Sequence, residues 1–165
     1  MSDPVKLERA ERHVSRFSSD AKIAGYLGGG TDGEVWKTTI PTAIKVFGYN
    51  TGYENEKYCY QRLADWGLTD TIDGFQVPRM LTFDDELKTI EMELMLTPPY
   101  IIDFAKVRFS DPEFADETQQ YHERECEELF EHNWPAVQSL LATLASYQIY
   151  YLDPKPGNIM FPDMK

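Results

Sequence analysis

Gly28-Gly29-Gly30-Thr31-Asp32-Gly33-Glu34-Val35-Trp36-Lys37-Thr38-Thr39-Ile40-Pro41-Thr42-Ala43-Ile44-Lys45-Val46-Phe47 is the stretch on which the fold turns. Val35 to Ile40 and Thr42 to Phe47 are strand-like runs, and Pro41 between them breaks the pattern because it cannot donate to a ladder. Ile23 to Leu27 begins a further strand on the other side, so the glycines lie between two strands. Glycine at 28, 30 and 33 removes the Cβ atoms that would keep backbone amides away from phosphate oxygens, although a plain hairpin favours glycine too. Lys45 is the anomaly. Flanked by Ile44 and Val46 on a run that reads as buried, its ammonium needs an anionic partner.

The next segment offers one. Thr51-Gly52-Tyr53-Glu54 has the capping-box arrangement and opens a predicted helix that runs to Trp66, with Gly67 as its stop. Glu56, Tyr60 and Leu63 fall at i, i+4 and i+7, so the carboxylate shares a face with residues that pack inward and is placed to meet Lys45. The competing assignment is an exposed Glu56 paired with Lys57 or Arg62. After a loop around Asp70 to Gly74, Val77 to Phe83 and Lys88 to Met95 read as two strands joined by Asp84-Asp85-Glu86. The expected fold class is therefore α+β, with a five-stranded antiparallel sheet and one helix inserted after the third strand. Ahead of it, Leu7, Ala10, Val14 and Phe17 recur at helical spacing and predict an amphipathic helix over 5–18.

Beyond the sheet, the segment 111–131 carries nine acids and one base, Arg124. It reads as a helix with a solvated acidic face, or as a docking surface for a basic partner. His122 and Cys126 lie at i, i+4 there, with His132 nearby, too few ligands to specify a metal site. Asn133 is placed to cap a last helix with Pro135 in its first turn, and Val137, Leu140, Leu141 and Leu144 form its apolar face. The chain then reaches Tyr150-Tyr151-Leu152-Asp153-Pro154-Lys155-Pro156-Gly157-Asn158-Ile159-Met160-Phe161. Two prolines stiffen this loop and hold the short polar groups of Asp153, Lys155 and Asn158 just before a buried strand.

The chain has 165 residues, is 42 % hydrophobic and carries a net charge of −12. That charge repels nucleic-acid phosphates and anionic lipid headgroups, so neither nucleic acid nor membrane is expected as a partner. No apolar run is long enough to span a bilayer, and the charged start is unlike a secretory signal, which makes a cytoplasmic location the expectation. Cys59 and Cys126 are too few and too far apart for a disulfide framework and read as reduced thiols.

Four motifs in this order resemble the protein-kinase-like superfamily, over about Lys22 to Phe161. Gly28 to Val35 matches its G-x-G-x-x-G-x-V loop, Lys45 stands in its V-A-I-K position, Glu56 stands where its helix glutamate pairs with that lysine, and Asp153, Lys155 and Asn158 reproduce its catalytic-loop spacing. The resemblance implies a small lobe over 22–96, a reduced helical large lobe over 97–165 and an N-terminal extension over 1–21. It implies ATP as ligand, with Gly28, Gly30, Gly33, Val35, Ala43, Lys45, Glu56, Met92 and Met95 around the nucleotide and Leu94 to Pro98 as the hinge. Asp153 would orient the attacking hydroxyl, Lys155 would face the transferring phosphoryl group and Asn158 would bind Mg2+. The implied activity is γ-phosphoryl transfer to a protein Ser/Thr hydroxyl. The alternatives are a pseudokinase that binds nucleotide or a partner without turnover, and a small-molecule kinase of the aminoglycoside or choline type, which Pro156-Gly157-Asn158 also resembles.

Departures from the pattern shape further expectations. Tyr151-Leu152 replaces the usual His-Arg, which removes the arginine that reads a phosphorylated activation loop. The Asp-Phe-Gly motif and activation segment of the family do not follow Asn158, and Asp163 is expected too far from it to share a metal. Asp103-Phe104-Ala105 mimics that motif on the wrong side of Asp153. It is expected to be a post-hinge segment packing Ile101, Ile102 and Phe104, with a permuted metal ligand as the alternative. A shortened large lobe would also leave part of the Val137–Leu144 face open, which would favour a homodimer or a partner protein.

Overall fold

In the computed structural model, which describes residues 1–164, the glycine-rich stretch folds as expected into antiparallel strands. These are β1 (Ile23–Gly29), β2 (Gly33–Thr38) and β3 (Thr42–Phe47). With β4 (Met80–Asp84) and β5 (Thr89–Glu93) they form one antiparallel sheet in the order β1-β2-β3-β5-β4. The expected α+β class, with five strands and a helix after the third, is what the structure has. Every position of β3 is buried. Ile44 and Val46 pack with Trp36 on one face of the sheet against α1 (Pro4–Phe17), through Ala10 and Val14. The alternate residues of β3 therefore point to the other face, Lys45 among them. Two compact units divide the chain: Met1–Arg62 with Pro78–Leu94, and Leu63–Val77 with Met95–Lys165.

In the first unit, α1 is fastened to the sheet by polar contacts that its apolar spacing did not announce. Asp3 caps it by accepting from the Val5 N–H, and the Asp3 N–H and Lys6 ammonium hold the buried Glu34 carboxylate. His13 is fully buried, with Nδ1 2.7 Å from Thr89 Oγ1 and Nε2 2.8 Å from Thr82 Oγ1. Glu91 completes the cluster by accepting from the hydroxyls of Thr42 and Thr82. Its carboxyl is held below the ordinary range chiefly by His13, with the two threonines adding to that and burial opposing it. Arg16 pairs with Asp84 and Glu86 at the turn between β4 and β5. Phe17, expected on the apolar face, is 46 % exposed; the position that faces inward is His13.

The second helix, α2 (Asn50–Asp65), starts at Asn50, so Thr51 lies inside its first turn rather than capping it. Tyr53 and Lys57 both donate to Asp85 Oδ1, at 2.8 and 2.7 Å, which ties this helix to the β4–β5 turn. Its end matches expectation: Gly67 takes φ +70° and donates to Ala64 C=O, and Leu68 N–H returns to Leu63 C=O. That pair of bonds is the Schellman stop, which an αL glycine permits without strain.

The second unit begins with a hairpin where only a loop was expected. Thr71–Ile72 pairs with Phe75–Gln76 around Asp73-Gly74, both at positive φ, the two-residue turn that Asp-Gly favours. Phe75–Gln76 extends through Tyr100–Ile101 to Ile159–Met160 in a small four-stranded sheet, and Val107–Arg108 pairs separately with Tyr150–Tyr151. The acidic segment is a helix, α3 (Asp116–Phe130), followed by a short 3-10 turn and α4 (Trp134–Ser146). Asn133 makes no side-chain cap; its amide donates instead to Asp163. The apolar face of α4 is covered within the chain. Val137, Leu140 and Leu144 are buried and Leu141 is half-buried, which corrects the expectation that this face is left open. Phe161 meets Phe75 and Phe130 edge-on in the same core, and Phe130 stacks on Trp134. No helix among the described residues is long and apolar enough to cross a membrane.

Gly33 and Gly30 make opposite demands. A Cβ on Gly33 would lie 2.3 Å from the Val46 carbonyl oxygen, whereas one on Gly30 would meet nothing within 4 Å. Gly33→Ala should therefore destabilise the chain by about 1–3 kcal/mol through overpacking, and Gly30→Ala by no more than about 0.5 kcal/mol. Urea melts of the two variants beside wild type provide the check.

Candidate functional site

Chemistry-bearing residues gather in each unit separately. In the first, Lys45 Nζ lies 2.6 Å from Glu56 Oε2, and the two side chains are 4 % and 2 % exposed. Strand and helix periodicity bring them together: β3 turns Lys45 away from α1, and the Glu56 face of α2 carries Tyr53 and Tyr60 into the core. Tyr60 donates to Glu56 Oε1 at 3.4 Å, and the Lys45 ammonium stands 4.9 Å from the Phe47 ring centroid. Glu56 is buried rather than exposed, and Lys57 pairs with Asp85 and Glu54.

Around this pair the other residues expected to line a nucleotide are placed unevenly. Ala43 and Met92 are buried cross-strand neighbours, and Val35, opposite Lys45 on β2, is half-buried. Met95 is half-buried beyond the end of β5, in the residues of the second unit. Of the three glycines, Gly33 is required by the close approach of Val46, so its presence has a cause in packing alone. Gly28 sits at φ +151° and Gly30 in open space. The Gly30 N–H closes the hairpin on the Gly33 carbonyl at 2.9 Å, so that amide is committed to the turn.

In the second unit the loop after Tyr151 is knitted around Asp153. Lys155 Nζ lies 2.9 Å and Lys106 Nζ 3.6 Å from Asp153 Oδ2, and Asn158 Nδ2 donates to the same oxygen and to the Asp153 carbonyl. Burial by itself would raise this carboxyl. The hydrogen bond from Lys155 and the charges of Lys106 and Lys155, with the Asn158 amide, outweigh it and hold Asp153 below the ordinary carboxylate range. Asp153 is thus a negative charge in a fixed position. The Asn158 N–H and Ile159 N–H both return to Lys155 C=O, closing the turn that presents the three groups. Because Asn158 spends its amide nitrogen on Asp153, its amide oxygen diverges from that contact.

Other acids and candidate ligands are engaged elsewhere. Asp163 accepts from Asn133 and lies 2.8 Å from His132 Nε2. His122 Nδ1 is 3.9 Å from Cys126 Sγ, whose other partner is the Pro154 carbonyl. Among the described residues no three His, Cys, Asp or Glu side chains converge as a metal-holding group. Hard oxygen donors near the loop still suit Mg2+, which takes one or two protein oxygens and draws the rest from phosphates and water.

One segment that sequence reasoning set aside belongs to this loop. Tyr100–Ile101 pairs antiparallel with Met160–Ile159, Ile102 N–H donates to the Asn158 carbonyl at 2.8 Å, and Leu152 N–H donates to the Lys106 carbonyl at 3.2 Å. Ile101 and Phe104 are buried as expected, but Ile102 is 37 % exposed. This pairing was not legible in the sequence, because spacing along the chain says nothing of pairing across a sheet.

No protein-family model matches the chain, and no curated protein matches it. Solved structures to which the chain shows similarity include a streptomycin-ATP-APH(2")-IIa ternary complex, at TM-score 0.47 and 13 % identity, covering 95 % of this chain and 43 % of that one. Another is the ADP-bound aminoglycoside phosphotransferase APH(2'')-Ib, at TM-score 0.45 and 15 % identity, covering 91 % of this chain and 41 % of that one. The chain spans less than half the length of either.

The two lysines around Asp153 make a pH prediction. A carboxyl whose folded pKa is depressed adds stability that is complete above its unfolded value, about 3.9, and is lost as pH falls through the folded value. Lys106→Met removes one positive neighbour, so Asp153 should titrate at higher pH than in wild type and contribute less to stability at neutral pH. Carboxyl-carbon NMR titration of both proteins reads the difference directly.

Proposed function

We propose that this chain is an ATP-dependent phosphotransferase of the protein-kinase-like type, acting on a hydroxyl acceptor. Lys45, held by Glu56, anchors the phosphates of the nucleotide, and Gly28, Gly30 and Gly33 keep the hairpin beside them free of side chains. Val35, Ala43, Met92 and Met95 supply apolar surface for the base. Asp153 accepts a hydrogen bond from the acceptor hydroxyl and takes its proton as the oxygen attacks the γ-phosphorus. The bond from that phosphorus to the β–γ bridging oxygen breaks, and ADP leaves with the electron pair. Lys155 balances charge on the transferring group, and Asn158 offers an oxygen to Mg2+. When bound, that cation would neutralise charge building up on the phosphate oxygens.

The observation that carries this reading is the Lys45–Glu56 pair. A buried ion pair is seldom more stabilising than apolar side chains of similar volume, so folding alone gives little reason to keep one between β3 and α2. An anionic ligand gives that reason, since Glu56 fixes the ammonium and the ammonium fixes the phosphates. A protein Ser/Thr hydroxyl is the first acceptor class. A cationic small alcohol of the aminoglycoside or choline type is favoured by a separate observation. The acidic α3 meets the catalytic loop through Cys126 and the Pro154 carbonyl, and burial first, then the charges of Glu125, Asp153 and Glu123, push the Cys126 thiol up.

Removing one partner of the pair strands a buried charge at a cost of about 3–5 kcal/mol, so the test uses the double variant Lys45→Met/Glu56→Met. Wild type should melt higher with ATP and Mg2+, by the equivalent of about 2.7 kcal/mol at a hundredfold excess over Kd, and the double variant should show no such rise. Equal shifts in both, or none in either, would overturn the nucleotide site. Asp153→Asn should retain nucleotide affinity while lowering transfer to a basic Ser/Thr peptide, an aminoglycoside or choline by about 10²–10⁴-fold. Nucleotide binding by wild type with no transfer to any of them would leave the pseudokinase alternative.

A further inference from the structure

Glu34 sits at the base of the glycine-rich hairpin, on the face of the sheet that α1 covers. It follows Gly33 on β2 and lies opposite Gly29 on β1 and Val46 on β3. Strand alternation gives it the same face as Trp36 and Val46, which pack against α1. Its carboxylate is buried and is held by the N-terminal end of that helix. The Asp3 N–H donates to Oε2 at 3.1 Å and to Oε1 at 3.3 Å, and Lys6 Nζ, itself 3.8 Å from Asp3 Oδ2, donates to Oε1 at 3.3 Å. Gly29 leaves room for this contact. A Cβ there would lie 2.6 Å from Glu34 Cγ and 2.8 Å from the Tyr26 hydroxyl oxygen, so the stem of Glu34 packs over β1 where no side chain stands.

We infer that Glu34 is a positioning residue: from the α1 side of the sheet it pins the glycine-rich hairpin where its backbone meets the nucleotide phosphates, so that Asp3 and Lys6 govern phosphate affinity. The inference rests on the phosphotransferase reading, which puts the phosphates at that hairpin. Folding alone gives little reason for the carboxylate. On a face shared with Trp36, Ile44 and Val46 an apolar side chain would be buried without electrostatic cost, whereas a buried carboxylate is tolerated only when paired and hydrogen-bonded. Docking of α1 has other means as well: Ala10 and Val14 pack on the sheet, His13 bonds Thr82 and Thr89, and Arg16 pairs with Asp84 and Glu86. The hairpin has the greater need. Glycine at 28, 29, 30 and 33 gives it little side-chain surface to pack and much backbone freedom to lose. The Gly30 N–H on the Gly33 carbonyl closes its turn, and the Gly48 N–H on the Asp32 carbonyl, at 3.1 Å, ties its tip to the end of β3. Those bonds run along the sheet, and the Glu34 contacts act across it. Fixing the hairpin before the ligand arrives removes an ordering cost from binding.

Comparing ATP with adenosine isolates the phosphates, because the hairpin is asked to hold only those. Affinities for ATP with Mg2+ and for adenosine are measured by titration calorimetry on wild type, Glu34→Ala, Glu34→Gln and Lys6→Met. Wild type should bind ATP more tightly than adenosine. Glu34→Ala should bind ATP about tenfold more weakly, as for a hairpin in its binding position about a tenth of the time, with adenosine changed by no more than about twofold. Glu34→Gln should recover most of that loss, since its amide oxygen still accepts from the Asp3 N–H. Unchanged ATP affinity in Glu34→Ala, equal weakening of ATP and adenosine, or a wild type with no preference for ATP would overturn the inference and leave a nucleotide site standing. A wild type that binds neither ligand would overturn the nucleotide reading and this inference together. Should Glu34→Ala not fold, Lys6→Met, which alters the helix and not the hairpin, decides. ATP bound about threefold more weakly, with adenosine unchanged, supports the pin, and unchanged ATP affinity overturns it.

Discussion

The Lys45–Glu56 contact is the constraint that the first unit is arranged around. Both groups are charged and both are nearly inaccessible to water, so each makes the other's burial tolerable. For the two to meet, β3 must hold its register, with Lys45 facing away from α1, and α2 must keep Glu56 on its inward face. The neighbours serve the same end. Tyr60 satisfies a second oxygen of Glu56, and Tyr53 and Lys57 fasten the helix to Asp85. Sliding β3 by one residue would turn Lys45 to the apolar face of Ile44 and Val46, and the period of two along a strand makes such a slip costly.

On the opposite face of the sheet, α1 supplies what a bare five-stranded sheet lacks. A sheet with one side open would expose Trp36, Ile44 and Val46; Ala10 and Val14 cover them. The helix is oriented by directional contacts rather than by apolar burial alone. His13 bonds two threonines on β4 and β5, Glu34 anchors the N-terminal end, and Arg16 reaches the β4–β5 turn. Hydrogen bonds in such a buried cluster add modestly to net stability, but leaving one unmade is expensive, so the cluster selects one docking position for the helix.

The second unit is held by aromatic packing and by a ring of backbone hydrogen bonds. Phe75, Phe130, Trp134 and Phe161 fill the space beside α4, and two short ladders place residues 100–108 along both sides of the Asp153 loop. The loop's polar groups satisfy one another: Asp153 takes Lys155, Lys106 and Asn158, and Lys155 C=O takes two amides. Such mutual satisfaction favours a single conformation for a short Pro-bounded loop.

Local and periodic signals carried most of the first unit. Alternation gave the strands, Gly67 the helix stop, and the spacing of Glu56, Tyr60 and Leu63 the inward face that reaches Lys45, because these depend on residues within one or two turns of each other. The sequence by itself therefore determined the α+β class, the sheet with its inserted helix, the buried pair and the Asp153-Lys155-Asn158 loop. Only the tertiary structure decided the rest. It buried His13 while leaving Phe17 in water, folded Asp73-Gly74 into a hairpin, and covered the Val137–Leu144 face within the chain. It set Lys106 beside Asp153 and the Asp103 turn along the Asp153 loop. In the cases of His13, Lys106 and Asp103 the partners lie more than forty residues apart, joined by sheet pairing or side-chain contact that no local spacing encodes. A short-range pattern fixes which face of an element is buried; which distant element covers it is settled by the packing of the whole unit.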